Sequence, residues 1–321
     1  MKRIIFAICT ILCANVLMAQ EQLATLKHND SISVYYGASA FEQAYNAAAN
    51  GDIITLSDGR FNAPSTVQKA ITVRGNGAVA DTARKRIGTY FMGVFYVRNL
   101  GDSLHFEAEG IYFNNFESHQ SYDIKLTRCY INSLNQDGGV QAMNCIIKGK
   151  VFGSSSQNNT YINCVINHGS NSFLPHDAIC NNCIISGNNY YNYTSYQYNN
   201  CVVKVNSAVN DSILHGVVKN SVIIGFTGTS SFASSGNVVM SLSDVFENWD
   251  GESLPTDLET YVLKSSVSNS ILGLDGREVG IFGGVIPFDW TPTYSVIKRL
   301  DVPNTPDENG MLNIDVEFLT E

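Results

Sequence analysis

The chain is 321 residues long and carries 20 lysines and arginines against 29 aspartates and glutamates, a formal net charge of −9. An acidic balance of this size excludes non-specific nucleic-acid binding, which needs surplus lysine and arginine to replace phosphate counterions, and it disfavours an anionic polysaccharide as the main ligand. The length is ample for a large core, and nothing after the N-terminal residues is long and apolar enough to span a bilayer.

In chain order, residues 1–19 read as a secretory signal: Lys2 and Arg3 start it, Ile4 to Met18 carry no charge, and Ala19 precedes a cut before Gln20. Neither Cys9 nor Cys13 follows a small residue, so lipidation is not expected. Removal of the segment leaves 18 basic against 29 acidic side chains, and the reading places the product in the periplasm, on the outer surface or outside the cell. Residues 20–38 form a lead-in.

The segment SAFEQAYNAAANGDIITLSDGRF (39–61) opens with Ser39 and Glu42 at capping-box spacing. Phe41, Ala44, Tyr45 and Ala48 share one helical face, and Gly51 stands where a helix would stop. Ile53 to Leu56 then reads as a strand, Asp58-Gly59 as a turn and Ala70 to Val73 as a second strand. A short amphipathic helix here would cover the open end of a repeat array, whose terminal units need a cap. The pattern F-x-x-A-x-x-x-A-x-x-G-D-x-I-x-L-x-D-G resembles the N-terminal cap and first coil of the pectate-lyase-like, right-handed parallel β-helix superfamily. That superfamily contains lyases, hydrolases and proteins without known activity, so the resemblance implies fold and leaves chemistry open.

Residues 81–128 fit no simple period. Beyond them the chain repeats: Asn144-Cys145, Asn163-Cys164, Asn182-Cys183, Asn200-Cys201 and Asn220-Ser221 follow at steps of 19, 19, 18 and 20 residues. Asn237-Val238 and Asn269-Ser270 read as weaker later members. A β-branched pair follows each of the first five dipeptides, and short strands at this period without regular leucines specify a parallel β-helix. About eleven coils would fit between residue 51 and residue 275. Side chains alternate across a strand, so an inward Asn144 would bury Lys148, Ser186 and Lys204. An inward Cys145 buries Ile147, Ile166, Ile185, Val203 and Ile223 instead, which is the cheaper choice.

That parity leaves Ile146, Val165, Ile184, Val202 and Val222 as an outward apolar stripe, which a C-terminal segment or a partner chain would cover. The asparagines belong at bends, where a left-handed backbone and stacking amides suit them, as in the asparagine ladders of pectate-lyase-like β-helices. Five repeat cysteines (Cys129, Cys145, Cys164, Cys183 and Cys201) stacked about 4.8 Å apart are too far apart for disulfides, which predicts buried free thiols. Cys180 and Cys183 have CxxC spacing but no second pair or histidine cluster, so no metal site is expected.

Chemistry is sparse. Basic candidates for the outer face are Arg74, Arg98, Lys125, Arg128, Lys148, Lys150 and Lys204, and between residues 139 and 210 the sole acid is Asp177, beside His168 and His176 in one loop. No cofactor is expected, although a lyase of this superfamily would bring calcium with it. The loop NNYYNYTSYQYNN carries Tyr190, Tyr191, Tyr193, Tyr196 and Tyr198 among amides, a composition suited to sugar stacking and hydroxyl recognition. The final segment (276–321) breaks the repeat with glycines and prolines. It resembles the C-terminal segments of uncharacterised exported β-helix proteins of Gram-negative bacteria, and Leu312, Ile314, Val316 and Phe318 alternate with polar residues as one closing strand. The expectation is an all-β, single-domain β-helix over residues 39–275. It would be an exported envelope or surface protein that binds a glycan or another protein, with a polysaccharide lyase or glycoside hydrolase as the competing class. Its oligomeric state stays open.

Overall fold

The structure, a computed structural model, describes residues 22–80, 87–101, 104–121, 123–153, 159–168, 177–187, 196–205, 217–225, 236–247, 261–290, 296–301 and 315–319. It begins with a hairpin, β1 (Leu23–His28) and β2 (Ser31–Tyr36), and a helix, α1 (Ala40–Ala47). The chain then alternates between two sheets: β3 (Ile53–Leu56), β4 (Gly59–Phe61), β5 (Thr72–Arg74), β6 (Thr89–Arg98), β7 (Phe106–Glu109), β8 (Tyr112–His119), β9 (Ile124–Thr127), β10 (Tyr130–Asp137), β11 (Val140–Met143) and β12 (Ile146–Gly153). The alternation continues through β13 (Thr160–Ile162), β14 (Val165–His168), β15 (Ala178–Asn181), β16 (Ile184–Gly187), β17 (Tyr196–Asn199), β18 (Val202–Val205), β19 (Val217–Lys219), β20 (Val222–Ile224) and β21 (Val238–Met240). The odd-numbered strands from β3 to β19, with the hairpin at the edge, make one sheet of 11 strands, and the even-numbered strands from β4 to β20 with β21 make a second of 10. Apart from the antiparallel hairpin and its pairing with β3, neighbouring strands within each of these sheets pair in parallel, so the chain is a parallel β-helix. Among the described residues no helix is long and apolar enough to cross a membrane.

From β7 onward a two-residue corner joins each odd strand to the next even one, and its chemistry explains the repeat. The first corner residue is left-handed: Gly110, Arg128, Asn144, Asn163, Asn182, Asn200 and Asn220 all have φ between +49° and +66°, a region that asparagine and glycine occupy most readily. Its N–H reaches the carbonyl ending the next coil's strand, as Asn163 does to Asn181 at 3.0 Å. The second residue points inward, and in four of the seven corners its N–H takes a side-chain acceptor from the next coil instead of a carbonyl. Cys129 donates to Cys145 Sγ (3.4 Å), Cys183 to Cys201 Sγ (3.4 Å), Cys201 to Ser221 Oγ (2.9 Å) and Ser221 to Asn237 Oδ1 (3.0 Å). The slot therefore selects a small residue with an acceptor atom, and cysteine, serine and asparagine all serve.

Cys129, Cys145, Cys164, Cys180, Cys183 and Cys201 are buried and unpaired. Burial in this apolar column pushes the thiols of Cys129, Cys164, Cys180 and Cys183 up. The inward parity is as expected, with Ile147, Ile166, Ile185, Val203 and Ile223 in the interior and Ile146, Val165, Ile184, Val202 and Val222 in a separate outer cluster. That stripe is covered by the chain itself. Val245, Phe246, Tyr261, Leu263, Val267, Ile271, Val279, Ile281 and Phe288 pack on it, and the covering strap includes a short helix, α2 (Ser265–Ser268).

Several expectations are corrected. Ser39 precedes α1 but makes no side-chain capping bond, and α1 ends at Ala47, before Gly51. Gly51 instead donates to the carbonyl of Ala70 across the first coil at 2.6 Å. The second strand starts at Thr72, two residues later than expected, and Gly59 already belongs to β4. Residues 23–36 form a hairpin on the sheet edge rather than a simple lead-in. Because Val222 pairs with Val238, Asn237 occupies the cysteine slot and Gly236 the asparagine position. Asn269-Ser270 lies just after α2 in the strap, since among the described residues the last solenoid strand ends at Met240 and not near residue 275. The region around 81–128 escaped a simple period because its strands are long and carry an aromatic core: β6 spans Thr89 to Arg98, with a register shift between Phe91 and Val94. Phe41 from α1 meets Phe91 at 4.9 Å and Phe95 at 5.9 Å, so the helix does plug the first coils. At the far end, β22 (Val296–Asp301) and β23 (Asp315–Leu319) pair antiparallel. Val316 and Phe318 lie in β23, while Leu312 and Ile314 are outside the described residues.

Candidate functional site

The outer face of the first sheet holds a shallow cavity of about 180 Å³ lined by Thr72, Arg74, Glu107, Glu109, Lys125 and Thr127. Register builds it. Thr72 pairs with Glu107 and Glu107 with Lys125, while Arg74 pairs with Glu109 and Glu109 with Thr127. Alternation along β7 buries Phe106 and Ala108 and turns both glutamates outward.

The charges are matched within the site. Lys125 Nζ donates to Glu107 Oε1 at 3.2 Å, and Arg128 Nη1 donates to Glu109 Oε1 at 3.2 Å. Thr72 Oγ1 donates to Glu107 Oε2 at 3.5 Å. The two pairs differ in exposure: Glu107 and Lys125 are 35% and 44% exposed, Glu109 and Arg128 only 15% and 11%. The first pair is an adaptable solvated rim, worth at most about 1 kcal/mol, while the second is a fixed post. Arg128 also reaches Asp289 of the strap, with Nη2 to Oδ2 at 3.8 Å, so one guanidinium links the groove wall to the covering segment. The result is a polar groove with carboxylate acceptors, cationic donors and two threonine hydroxyls within a few ångströms.

The structure thus gathers Arg74, Lys125 and Arg128 from the basic candidates and disperses the rest. Arg98 lies over the ring of Tyr96 at 4.9 Å, and Lys148 over Tyr130 at 5.6 Å. Lys204 pairs in register with Ser186 on the second sheet. Lys150 lies in β12 and His168 in β14, on the second sheet, while His176 is outside the described residues and Asp177 stands exposed at φ +57°. Sequence reasoning missed Glu107 and Glu109. The signal was local: the alternation in FEAEG (106–110), followed by a corner glycine, places both acids on one face.

Of the five loop tyrosines, Tyr190, Tyr191 and Tyr193 lie outside the described residues. Tyr196 and Tyr198 are in β17, 3% and 1% exposed, with ring centroids 4.5 Å apart. Both rings belong to the core and offer no face to a ligand. Cys180 shares that interior, in register between Tyr161 and Tyr198.

The asparagine column has a use beyond its bends. Only one neighbouring amide contact joins its members among the described residues, Asn200 to Asn182 at 3.5 Å. The amides mainly hold the strap by its backbone. Asn163 Nδ2 donates to the carbonyls of Ile281 (2.7 Å) and Gly283 (2.9 Å), Asn220 Nδ2 donates to Leu272 (3.3 Å), and Leu274 N–H donates to Asn200 Oδ1 (2.9 Å). The strap lies so close that a Cβ on Gly273 would sit 2.7 Å from Asn200 Cγ, which accounts for glycine there. Asn144 is fully buried, and its amide makes no hydrogen bond among the described residues.

Among the described residues no cluster of three histidines, cysteines or acids could hold a metal ion. Compared with protein-family models, with curated proteins and with solved structures, the chain matches none.

Proposed function

We propose that this chain is an exported, non-catalytic β-helix of the cell envelope or surface, a member of the pectate-lyase-like superfamily, that binds carbohydrate in the groove over β5, β7 and β9. The observation that carries the reading is the groove's matched set of acceptors and donors. Glu107 and Glu109 can accept from sugar hydroxyls, Arg74 and Lys125 can donate to ring and hydroxyl oxygens, and the Lys125–Glu107 pair is exposed enough to rearrange around a ligand. The local neutrality suits an uncharged glycan, in keeping with the acidic chain as a whole. The signal-like residues 1–19 support export.

A second reading, glycan cleavage, draws on Glu107 and Glu109 standing two residues apart on one strand face, roughly 7 Å between Cα atoms, within the span of glycosidase carboxylate pairs. The calcium of a lyase does not fit this groove, because Lys125 and Arg128 already engage both carboxylates and would repel a divalent cation.

A glycan array probed with the chain from Gln20 to Glu321 tests the reading. Binding should be lost in Lys125→Ala and Glu107→Gln and retained in Lys204→Ala. Binding that ignores both groove variants would move the site elsewhere, and release of new reducing ends or unsaturated products from any polysaccharide would establish the enzymatic reading in its place.

A further inference from the structure

The N-terminal hairpin leaves an unusual sheet edge. Among the described residues β2 is the terminal strand of the 11-stranded sheet and pairs on one side only, with β1. Cross-strand partners share a face: Ala24 with Tyr35 and Leu26 with Ser33 on the inner side, Leu23 with Tyr36, Thr25 with Val34 and Lys27 with Ile32 on the outer side. Ala24 and Leu26 are buried, whereas Ile32, Val34 and Tyr36 are 69%, 42% and 57% exposed. Edge strands are normally protected by charge, proline or a bulge. Here the sequence Ser31-Ile32-Ser33-Val34-Tyr35-Tyr36 has none of these and ends only at Gly37.

We propose that β2 is a self-association edge, at which two copies of the chain pair β2 against β2 in antiparallel fashion about a two-fold axis. The strand is complementary to itself. With Val34 opposite Val34 of the second copy, Ile32 faces Tyr36 and Tyr36 faces Ile32, so the three outward apolar side chains of each copy meet three from the other. Aromatic against β-branched pairs are among the favourable cross-strand combinations. Charge points the same way. The whole chain carries −9, so two copies repel at long range, but β2 contains no charged side chain and is where contact meets no like charge. The union would join two 11-stranded sheets across one continuous hydrogen-bonded edge. Ile32, Val34 and Tyr36 offer on the order of 300 Å² of apolar surface per copy, below the roughly 800 Å² per partner of a standard stable interface, so the dimer is reversible and concentration-dependent. The surface lies apart from the groove residues, and the inference does not depend on glycan binding.

Sedimentation equilibrium of the chain from Gln20 to Glu321, taken to about 0.5 mM, should show the apparent mass rising from one chain toward two. Val34→Lys places like charges opposite one another and should hold the protein monomeric, with an unchanged melting curve because the side chain faces solvent. Ile32→Lys should do the same. Combining Ile32→Lys with Tyr36→Glu should recover association, because this register sets the introduced lysine of each copy opposite the introduced glutamate of the other. Val34→Cys should form an intermolecular disulfide on mild oxidation, since directly opposed strand residues lie within disulfide reach and the six native thiols are buried. A monomer at every concentration would overturn the proposal and leave the edge to a different chain. A dimer indifferent to Val34→Lys, or an uncrosslinked Val34→Cys, would overturn it equally.

Discussion

Replacing Asn163 by glycine isolates what the strap contributes. The site is 1% exposed, sits at φ +49°, and donates two hydrogen bonds to carbonyls of the strap at 2.7 and 2.9 Å. Glycine keeps the left-handed backbone without strain, so Asn163→Gly removes the side chain's bonds while sparing the bend. Two buried acceptors lose their partners at about 1–3 kcal/mol each, a total of roughly 2–6 kcal/mol. Asn163→Ala adds a left-handed non-glycine penalty of about 1–2 kcal/mol. The internal control is Asn144, one coil earlier, equally buried and at φ +54°, whose amide makes no hydrogen bond among the described residues. Asn144→Gly should therefore be milder by about 2–4 kcal/mol. For a chain of this size that separates the two melting temperatures by roughly 4–8 °C. Limited proteolysis gives a second readout, because an undocked strap is cut within residues 261–290 before the solenoid. Equal melting temperatures and equal strap cleavage in the two glycine variants would refute the idea that the column holds the strap.

Three further outcomes follow from the same geometry. Ser221→Ala should cost about 1–3 kcal/mol in urea denaturation, because the Cys201 N–H loses its acceptor at 2.9 Å, whereas Ser221→Cys should be close to neutral. Folded thiols raised by burial contribute stability that is complete below the unfolded thiol pKa of about 8.5 and is lost as pH rises above it, because the unfolded chain then ionises first. Urea midpoints should accordingly fall between about pH 8 and pH 10, and Cys164→Ser should flatten that fall; a midpoint that rises with pH would contradict it. Ile184→Ala, at a fully buried position of the outer stripe, should cost about 2–5 kcal/mol and expose the strap to protease, and an unaltered digestion pattern would show that the stripe does not anchor it.

The repeat was legible because its chemistry is local. A left-handed asparagine, an inward cysteine and two β-branched residues recur in a fixed order, and strand parity alone separated core from stripe. The stripe's cover was legible too, since five aligned apolar side chains demand one. Three things were hidden. The strap's grip on the asparagine column uses its own backbone carbonyls, which leave no trace in side-chain pattern beyond close-packed glycines such as Gly273. The groove depends on the register of β5, β7 and β9, and the long bulged strands around β6 concealed that register. Tyr196 and Tyr198 looked like loop residues because the tyrosine run crosses without a break from the connection into a strand, where alternation with Gln197 and Asn199 turns both inward.

The corners also decide where the fold tolerates change. From β7 onward every passage from the first sheet to the second takes two residues, while the return passages lengthen from two residues between β10 and β11 to nine between β14 and β15 and eleven between β18 and β19. The corners are thus a spine of constant spacing, whereas the number of residues between the second sheet and the first varies from coil to coil. The repeat nonetheless keeps steps of 18 to 20 residues from Asn144 to Asn220, because shorter strands accompany the longer returns. Insertions grafted into the returns should leave coil stacking intact, whereas one residue added at a corner would turn the following strand inside out. The molecule is in this sense an address system, with a rigid index along one edge and replaceable content along the other.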